Sequence, residues 1–316
     1  MRVLIIGCGY VGLPLGAELV EQGHEVFGLR RSQRAEAELK AAGVRPLIGD
    51  VTRPGQLAGL PVLYDWVVNC VSSSGGGPQD YEEVYLQGTR NLDDWLMAAP
   101  PKRFLHVSST SVYGQNDGSL VNEASPTQPA TDTAKILVET EKVLLEAVRQ
   151  RNFPAVILRV AGIYGPDRGY WFKQYLKDAA TIEGKGERIL NMIHRDDVVG
   201  AIIAALKNGR PGEIYNAVDD EPVEQLSFFR WLSETLGRDL PRFVPEDREG
   251  ALQARHHEQA DIQPPPQGRA GLSIQAPDIS PGVRSRDPAP PQHRRIGILA
   301  QRRGLGSTAL VRASQS

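Results

Sequence analysis

Met1-Arg-Val-Leu-Ile-Ile-Gly-Cys-Gly-Tyr-Val-Gly12 decides the fold of this chain. Residues 3–6 are a short, wholly apolar run, the composition of a strand buried on both faces of a parallel sheet. Gly7, Gly9 and Gly12 follow as G-x-G-x-x-G. Leu13, Leu15, Ala17, Leu19 and Val20 then fill the apolar positions of a helix that Gly23 closes. Each glycine has a mechanical reason. Gly7 permits the tight turn out of the strand. Gly9 lets a pyrophosphate approach bare backbone, and Gly12 lets the helix pack close to the sheet. The helix N-terminus turns free N–H groups toward the anion. The pattern predicts a dinucleotide-binding turn that includes the backbone of Tyr10 and Val11. The competing reading is a glycine-rich turn with no ligand.

The rest of the composition narrows the class. A length of 316 residues suits one large domain or two small ones, and 41% hydrophobic residues are enough for a full core. A net charge of −2 gives no reason to invoke nucleic acid or an anionic membrane. No run approaches the roughly 18 apolar residues needed to span a bilayer. The first apolar run is too short for a signal peptide, and glycines break it. Two cysteines, Cys8 and Cys70, are too few for a disulfide framework or a zinc site. The expectation is a cytoplasmic protein that binds a small molecule and holds no metal.

Outward from the glycine turn, a second strand is expected over 25–29, running into Arg30-Arg31-Ser32. An acidic residue about 20 positions past the glycines would hold a ribose 2′-hydroxyl. Two arginines stand there instead, and guanidinium groups pair with a 2′-phosphate that a carboxylate would repel. NADP is therefore expected over NAD; otherwise Arg30 and Arg31 begin a solvated basic face that Arg34 continues. A third strand over 44–48 leads to Gly49-Asp50-Val51-Thr52, where Asp50 either accepts from an adenine amino group or caps the next helix. A fourth over 65–71 ends at Val71 and opens into Ser72-Ser-Ser-Gly-Gly-Gly-Pro78. That loop lies where open parallel sheets bind ligands. A helix is expected over 80–97, a strand over 104–107, a helix over 132–149 and a strand over 154–158. This rhythm predicts a doubly wound parallel sheet in an α/β fold.

Beyond residue 159 the rhythm loosens into a smaller mixed lobe, with helices over 171–177, 198–206 and 227–236 and a strand over 213–218. His194 with Asp196 and Asp197 suggests either metal or acid/base work, or a helix cap supplied by Asp196 or Asp197. Tyr170-Trp171-Phe172 lines a pocket or packs the lobe. His256-His257 has no ligand partners in spacing. The expected division is a nucleotide-binding domain over 1–160, an interleaved substrate lobe over 161–255 and a tail over 256–316. Every Tyr, Trp and Phe lies at or before Phe243, and past Glu258 there is no Lys or Glu. Such a tail buries too little to offset its ordering entropy. It reads as disordered or as a shifted reading frame: residues 258–283, read one nucleotide later with permitted codons, give an aromatic-rich string.

Several ordered motifs together resemble the extended short-chain dehydrogenase/reductases, or NAD-dependent epimerase/dehydratases. They are Gly7-Cys-Gly-Tyr-Val-Gly12, Gly88-Thr89 with Asn91, Ser108-Ser-Thr-Ser-Val-Tyr-Gly114, Ile157-Leu-Arg-Val-Ala-Gly-Ile-Tyr-Gly-Pro166, Ile193-His-Arg-Asp-Asp-Val198 and Gly212-Glu-Ile-Tyr-Asn216. The resemblance implies a Rossmann-like sheet, hydride transfer to or from a sugar nucleotide or small carbonyl compound, and a homodimer built on two long helices. It implies that Gly7, Gly9 and Gly12 hold pyrophosphate, and that Asp50 with Val51 meets the adenine. By the same likeness Val71 and Ser72 line the cofactor cleft. Gly9-Tyr-Val-Gly-Leu-Pro14 is also similar to the opening of nucleotide-sugar 6-dehydrogenases, which use a Cys deep in a longer chain; here no cysteine follows Cys70.

The family's chemistry uses Ser or Thr, Tyr and Lys, the last two as Y-x-x-x-K. Ser109 matches the first and Lys135 the last, but Thr131 stands where the Tyr belongs. An aliphatic hydroxyl is far too weak an acid to replace a phenol, and losing a positioned acid/base costs about 10²–10⁴ in rate. The resemblance therefore implies an atypical member: an enzyme using Ser109, Thr131 and Lys135, or a non-catalytic NADP(H)-binding protein.

Overall fold

The computed structural model describes residues 1–73, 76–245 and the backbone of 298–299. The first half alternates strands with helices. Its elements are β1 (Arg2–Ile6), α1 (Gly12–Glu21), β2 (Glu25–Arg30), α2 (Glu36–Ala41), β3 (Arg45–Ile48), α3 (Pro54–Leu57), β4 (Trp66–Asn69), α4 (Pro78–Tyr81), a π-helical turn (Glu82–Gln87), α5 (Gly88–Leu96), β5 (Arg103–Ser109), α6 (Asp132–Arg151) and β6 (Ala155–Val160). Then come β7 (Gly162–Tyr164), α7 (Tyr170–Leu176), β8 (Thr181–Glu183), β9 (Ile189–Leu190), β10 (Met192–His194), α8 (Arg195–Asn208), β11 (Ile214–Ala217), β12 (Val223–Glu224), α9 (Gln225–Leu236), β13 (Arg242–Val244) and β14 (Ile298–Leu299).

Seven strands form one parallel sheet in the order β11-β6-β5-β4-β1-β2-β3, and β14 pairs antiparallel with the outer edge of β11. The strand order reverses between β1 and β4, so a crevice opens beyond their carboxyl ends. Alternate residues serve the two faces. Val3, Ile5, Val68, Leu105 and Val156 pack with Leu15, Leu19, Val198 and Ile202 of α1 and α8. Leu4, Ile6, Val67, Phe104 and Ile157 pack with Leu92, Leu96 and Leu144 of α5 and α6. Burial on both faces is why the strands read as unbroken apolar runs.

The second lobe has its own core of Trp171, Tyr175, Ile182, Leu190, Phe229 and Leu232. Trp171 stands edge-on to Phe229 at 6.1 Å, and Tyr170 and Phe172 pack against the same cluster. Trp171 is buried in this core, while Tyr170 and Phe172 pack on it and stay partly exposed. Leu176, Ile189, Leu240 and Phe243 of this lobe are exposed.

The helix expected over 80–97 is interrupted by the π-helical turn, one register change that apolar spacing cannot reveal. The tail over 256–316 and His256-His257 lie outside the described residues, apart from the short strand β14. Among the described residues no helix is long and apolar enough to cross a membrane.

Candidate functional site

The glycine turn sits at the crevice between β1 and β4. Gly7 has φ +76°, and a Cβ there would lie 2.6 Å from the Cys70 carbonyl oxygen and 2.7 Å from the Val71 backbone. At Gly12 a Cβ would press on Ile5 Cγ2 at 2.9 Å, so only glycine brings α1 this close to β1. At Gly9 the nearest neighbour of a Cβ is a movable side-chain atom, Arg30 Nη1, at 3.3 Å. Two glycines thus shape the turn, and the third leaves its backbone approachable. Val11 precedes α1 without a side-chain cap, and the first turn holds no acidic residue. The Leu13 N–H bonds the Gly9 carbonyl at 2.8 Å and Pro14 has none, so the backbone of Val11 and Gly12, an open Gly9 and no carboxylate nearby in the helix are what fit a pyrophosphate.

Arg30 ends β2 and donates from Nη1 to the Cys8 carbonyl at 2.7 Å. Arg31 is exposed. Burial pushes the Cys8 thiol up to about 12, against the nearby Arg30, so it stays a neutral packing residue. Asp50 does not cap α3. Its Oδ1 accepts from the Thr52 backbone and hydroxyl, both at 2.9 Å, so its second oxygen is not spent on the turn. Asn91 donates to the Val51 carbonyl at 2.8 Å and fixes this segment to α5. Val71 donates its N–H to Asn69 Oδ1 at 3.4 Å, and Ser72 beyond it is exposed. Tyr10 is partly buried and packs against the core under the sheet. Its hydroxyl donates to the Pro166 carbonyl at 3.0 Å, while Arg168 and Arg195 lie 5.1 and 5.5 Å over its ring. The glycine turn is thereby fastened to the second lobe.

Ser109 ends β5, and its hydroxyl accepts from the Ser111 N–H at 3.1 Å. Thr131 is the N-cap of α6, its Oγ1 accepting from the Ala134 N–H at 3.2 Å. One turn on, Lys135 is exposed and donates to Asp132 at 2.9 Å. Tyr113 is buried, and its hydroxyl bonds twice: it receives Arg159 Nη1 at 2.8 Å and donates to Asn216 Oδ1 at 2.9 Å. Arg159 also forks onto Glu141 at 2.6 to 3.2 Å, and Ser108 donates to Glu141 at 2.6 Å. Sequence reasoning missed this buried network, whose members lie 18 to 103 residues apart and carry no local signal. It locks the segment after Ser109 to β6 and β11.

The cap of α8 also differs from expectation. His194 takes that position, and its Nδ1 accepts from the Asp196 N–H at 3.3 Å. Asp196 and Asp197 occupy the first turn, where a carboxylate favours the helix dipole. Among the described residues no three His, Cys, Asp or Glu side chains gather as metal ligands.

The sequence profile of the NAD dependent epimerase/dehydratase family matches residues 3–217. Protein YeeZ of Escherichia coli K12 is 30% identical over 251 residues, covering 77% of this chain and 86% of that protein. A 4-hydroxy-2-methyl-3-oxo-4-farnesyl-3,4-dihydroquinoline-1-oxide ketoreductase of Stigmatella aurantiaca is 27% identical, covering 75% of this chain and 74% of its own. Among solved structures, the dTDP-glucose 4,6-dehydratase DesIV of Streptomyces venezuelae, with NAD bound, superposes with a TM-score of 0.68 at 25% identity, over 78% of this chain and 85% of that one. The chain belongs to the NAD dependent epimerase/dehydratase family.

Proposed function

We propose that this family member is an NADP-preferring oxidoreductase or epimerase-like enzyme that acts on a sugar nucleotide or a small carbonyl compound. The observation that carries the reading is the approachable backbone at Gly9, flanked by the Arg30 guanidinium. The dehydratase and ketoreductase relatives support the two substrate classes. When bound, the nicotinamide supplies or accepts hydride at its C4. Gly7, Gly9, Gly12 and the backbone of Tyr10 and Val11 hold the pyrophosphate. Asp50 and Val51 meet the adenine, Arg30 and Arg31 the 2′-phosphate, and Val71 and Ser72 line the cleft. Ser109 polarises the substrate oxygen, and Lys135 holds the nicotinamide ribose. Thr131 or a water passes a proton on, but its hydroxyl is too weak an acid to be the source.

A second reading is a non-catalytic NADP(H)-binding protein. It is favoured by Thr131 serving as a helix cap and by Lys135 lying in a surface ion pair. Oxidation of NADPH with a panel of aldehydes, ketones and nucleotide 4-ketosugars separates the two. Turnover supports the enzyme; saturable binding without turnover supports the second reading. With either goes a homodimer packed through α5 and α6, which sedimentation equilibrium tests.

A further inference from the structure

A pyrophosphate brings two negative charges to a turn that has few donors to spare. The N–H groups of Gly7 and Cys8 go to the Leu29 carbonyl, that of Gly9 to the Gly7 carbonyl and that of Leu13 to the Gly9 carbonyl. Arg30 reaches the turn from β2. Two more guanidiniums reach it from the chain beyond β6. Arg168 Cζ lies 5.1 Å and Arg195 Cζ 5.5 Å from the centroid of the Tyr10 ring. Backbone geometry puts them there. Gly165 and Arg168 exchange N–H···O bonds, both at 3.0 Å, across a tight turn in which Asp167 has φ +58°. The Tyr10 hydroxyl donates to the Pro166 carbonyl of that same turn at 3.0 Å. A Cβ at Gly165 would lie 3.0 Å from the Tyr10 hydroxyl and 3.2 Å from both Arg195 Cβ and His194 Nε2. The two segments that carry the cations are thus packed directly on the side chain at the middle of the glycine turn.

We propose that Arg168 and Arg195 are cofactor-binding residues: they neutralise the pyrophosphate at the glycine turn, so the second lobe takes part in holding the dinucleotide. The proposal rests on the dinucleotide reading above. A guanidinium over a ring uses its flat face there and keeps its N–H donors in its own plane, where phosphate oxygens take two at once. Arg168 is half-buried, and the Arg195 side chain is 22% exposed, so water and salt screen both less than a fully exposed cation. Arg195 donates to Asp196 at 2.9 Å, but that carboxylate is 60% exposed. Such a pair contributes little, and a doubly charged ligand competes for the guanidinium. Asp167, the other carboxylate of the turn, is exposed as well. Two tasks are thereby separated. Arg30 meets the 2′-phosphate, whereas Arg168 and Arg195 serve the charge that NADP and NAD have in common. They add affinity for both without choosing between them.

The test is fluorescence titration of NADPH and NADH on the full chain, with ADP-ribose and adenosine 2′-monophosphate as competitors. Arg168→Gln and Arg195→Gln should each weaken NADPH, NADH and ADP-ribose alike, by about tenfold or more. Adenosine 2′-monophosphate has no pyrophosphate and should keep its affinity within about twofold. Its retention also reports an intact fold, so a loss confined to pyrophosphate ligands is not misfolding. Arg168→Lys keeps the charge without the planar fork and should fall between the wild type and Arg168→Gln. Arg230→Gln removes an exposed cation of α9 and should change none of these affinities. If the nucleotides bind and both Gln variants leave them unchanged, or if adenosine 2′-monophosphate is lost equally, the proposal is overturned while the dinucleotide reading stands. If neither nucleotide nor ADP-ribose binds the wild-type chain, both fall.

Discussion

The guanidinium of Arg30 reaches back from the end of β2 and donates to the carbonyl of Cys8 at 2.7 Å, which lays a permanent cation across the glycine turn. A neutral carbonyl is a modest partner. A 2′-phosphate offers charge and paired oxygens, so the side chain gains by turning to it. Hydrogen bonds to charged groups contribute about 1.5–3 kcal/mol. Arg30→Ala should therefore weaken NADPH binding by about 10–100-fold and leave NADH within a few-fold. Calorimetric titration of both nucleotides measures this, and equal losses would remove the argument for the phosphate.

Gly7 and Gly9 should fail in different ways. Gly7→Ala forces a side chain into φ +76° and against backbone at 2.6 Å. The strain alone is worth about 1–3 kcal/mol, read as a lower urea midpoint. At Gly9 a Cβ meets only Arg30 Nη1, so Gly9→Ala should fold with near-normal stability and lose nucleotide affinity. A Gly9→Ala protein that binds nucleotide normally would place the pyrophosphate elsewhere.

Glu141 and Arg159 are both nearly inaccessible, at 4% exposure each. Removing one partner of such a pair strands the other, at a cost of about 3–5 kcal/mol. Glu141→Gln should show that loss in chemical denaturation. Tyr113→Phe leaves Arg159 and Asn216 each one bond short and should cost about 1–3 kcal/mol. Its turnover should stay well above that of an enzyme lacking its acid; a drop of about 10²-fold or more in a folded Tyr113→Phe would make Tyr113 the donor instead.

His106 is fully buried beside Asn69, Nδ1 to Nδ2 at 3.2 Å, and burial pushes it down to about 4. Its folded value lies below the unfolded 6.5, so between about pH 4 and 6.5 the folded state binds fewer protons than the unfolded chain. Stability from this residue is present above pH 6.5 and is lost as pH falls toward 4. His106→Asn should be less stable at neutral pH, yet lose less on going from pH 6.5 to 4. Urea midpoints across that range, compared between the two proteins, give the result; parallel curves would mean His106 does not titrate there.

What the sequence revealed and what it hid follow from range. The glycine spacing and the branched apolar runs are local, and burial on both faces leaves them unbroken, so the sheet and its turn could be read directly. The direction taken by Arg30, the fork of Arg159 onto Glu141 and the meeting of Arg168 with Tyr10 depend on residues brought together only by folding. The cap of α8 was misplaced because His194 uses a ring nitrogen where a carboxylate or hydroxyl is the usual acceptor.

The central claim is that the Gly7–Gly12 turn receives a nicotinamide dinucleotide and that Arg30 selects its 2′-phosphate. The most direct measurement is the equilibrium dissociation constant of the full chain for NADPH and NADH, followed by nucleotide fluorescence. The account predicts saturable one-to-one binding of both, with NADPH tighter by about tenfold or more. Absence of saturable binding in a folded protein would contradict the site itself, and NADH binding as tightly as NADPH would contradict the role given to Arg30.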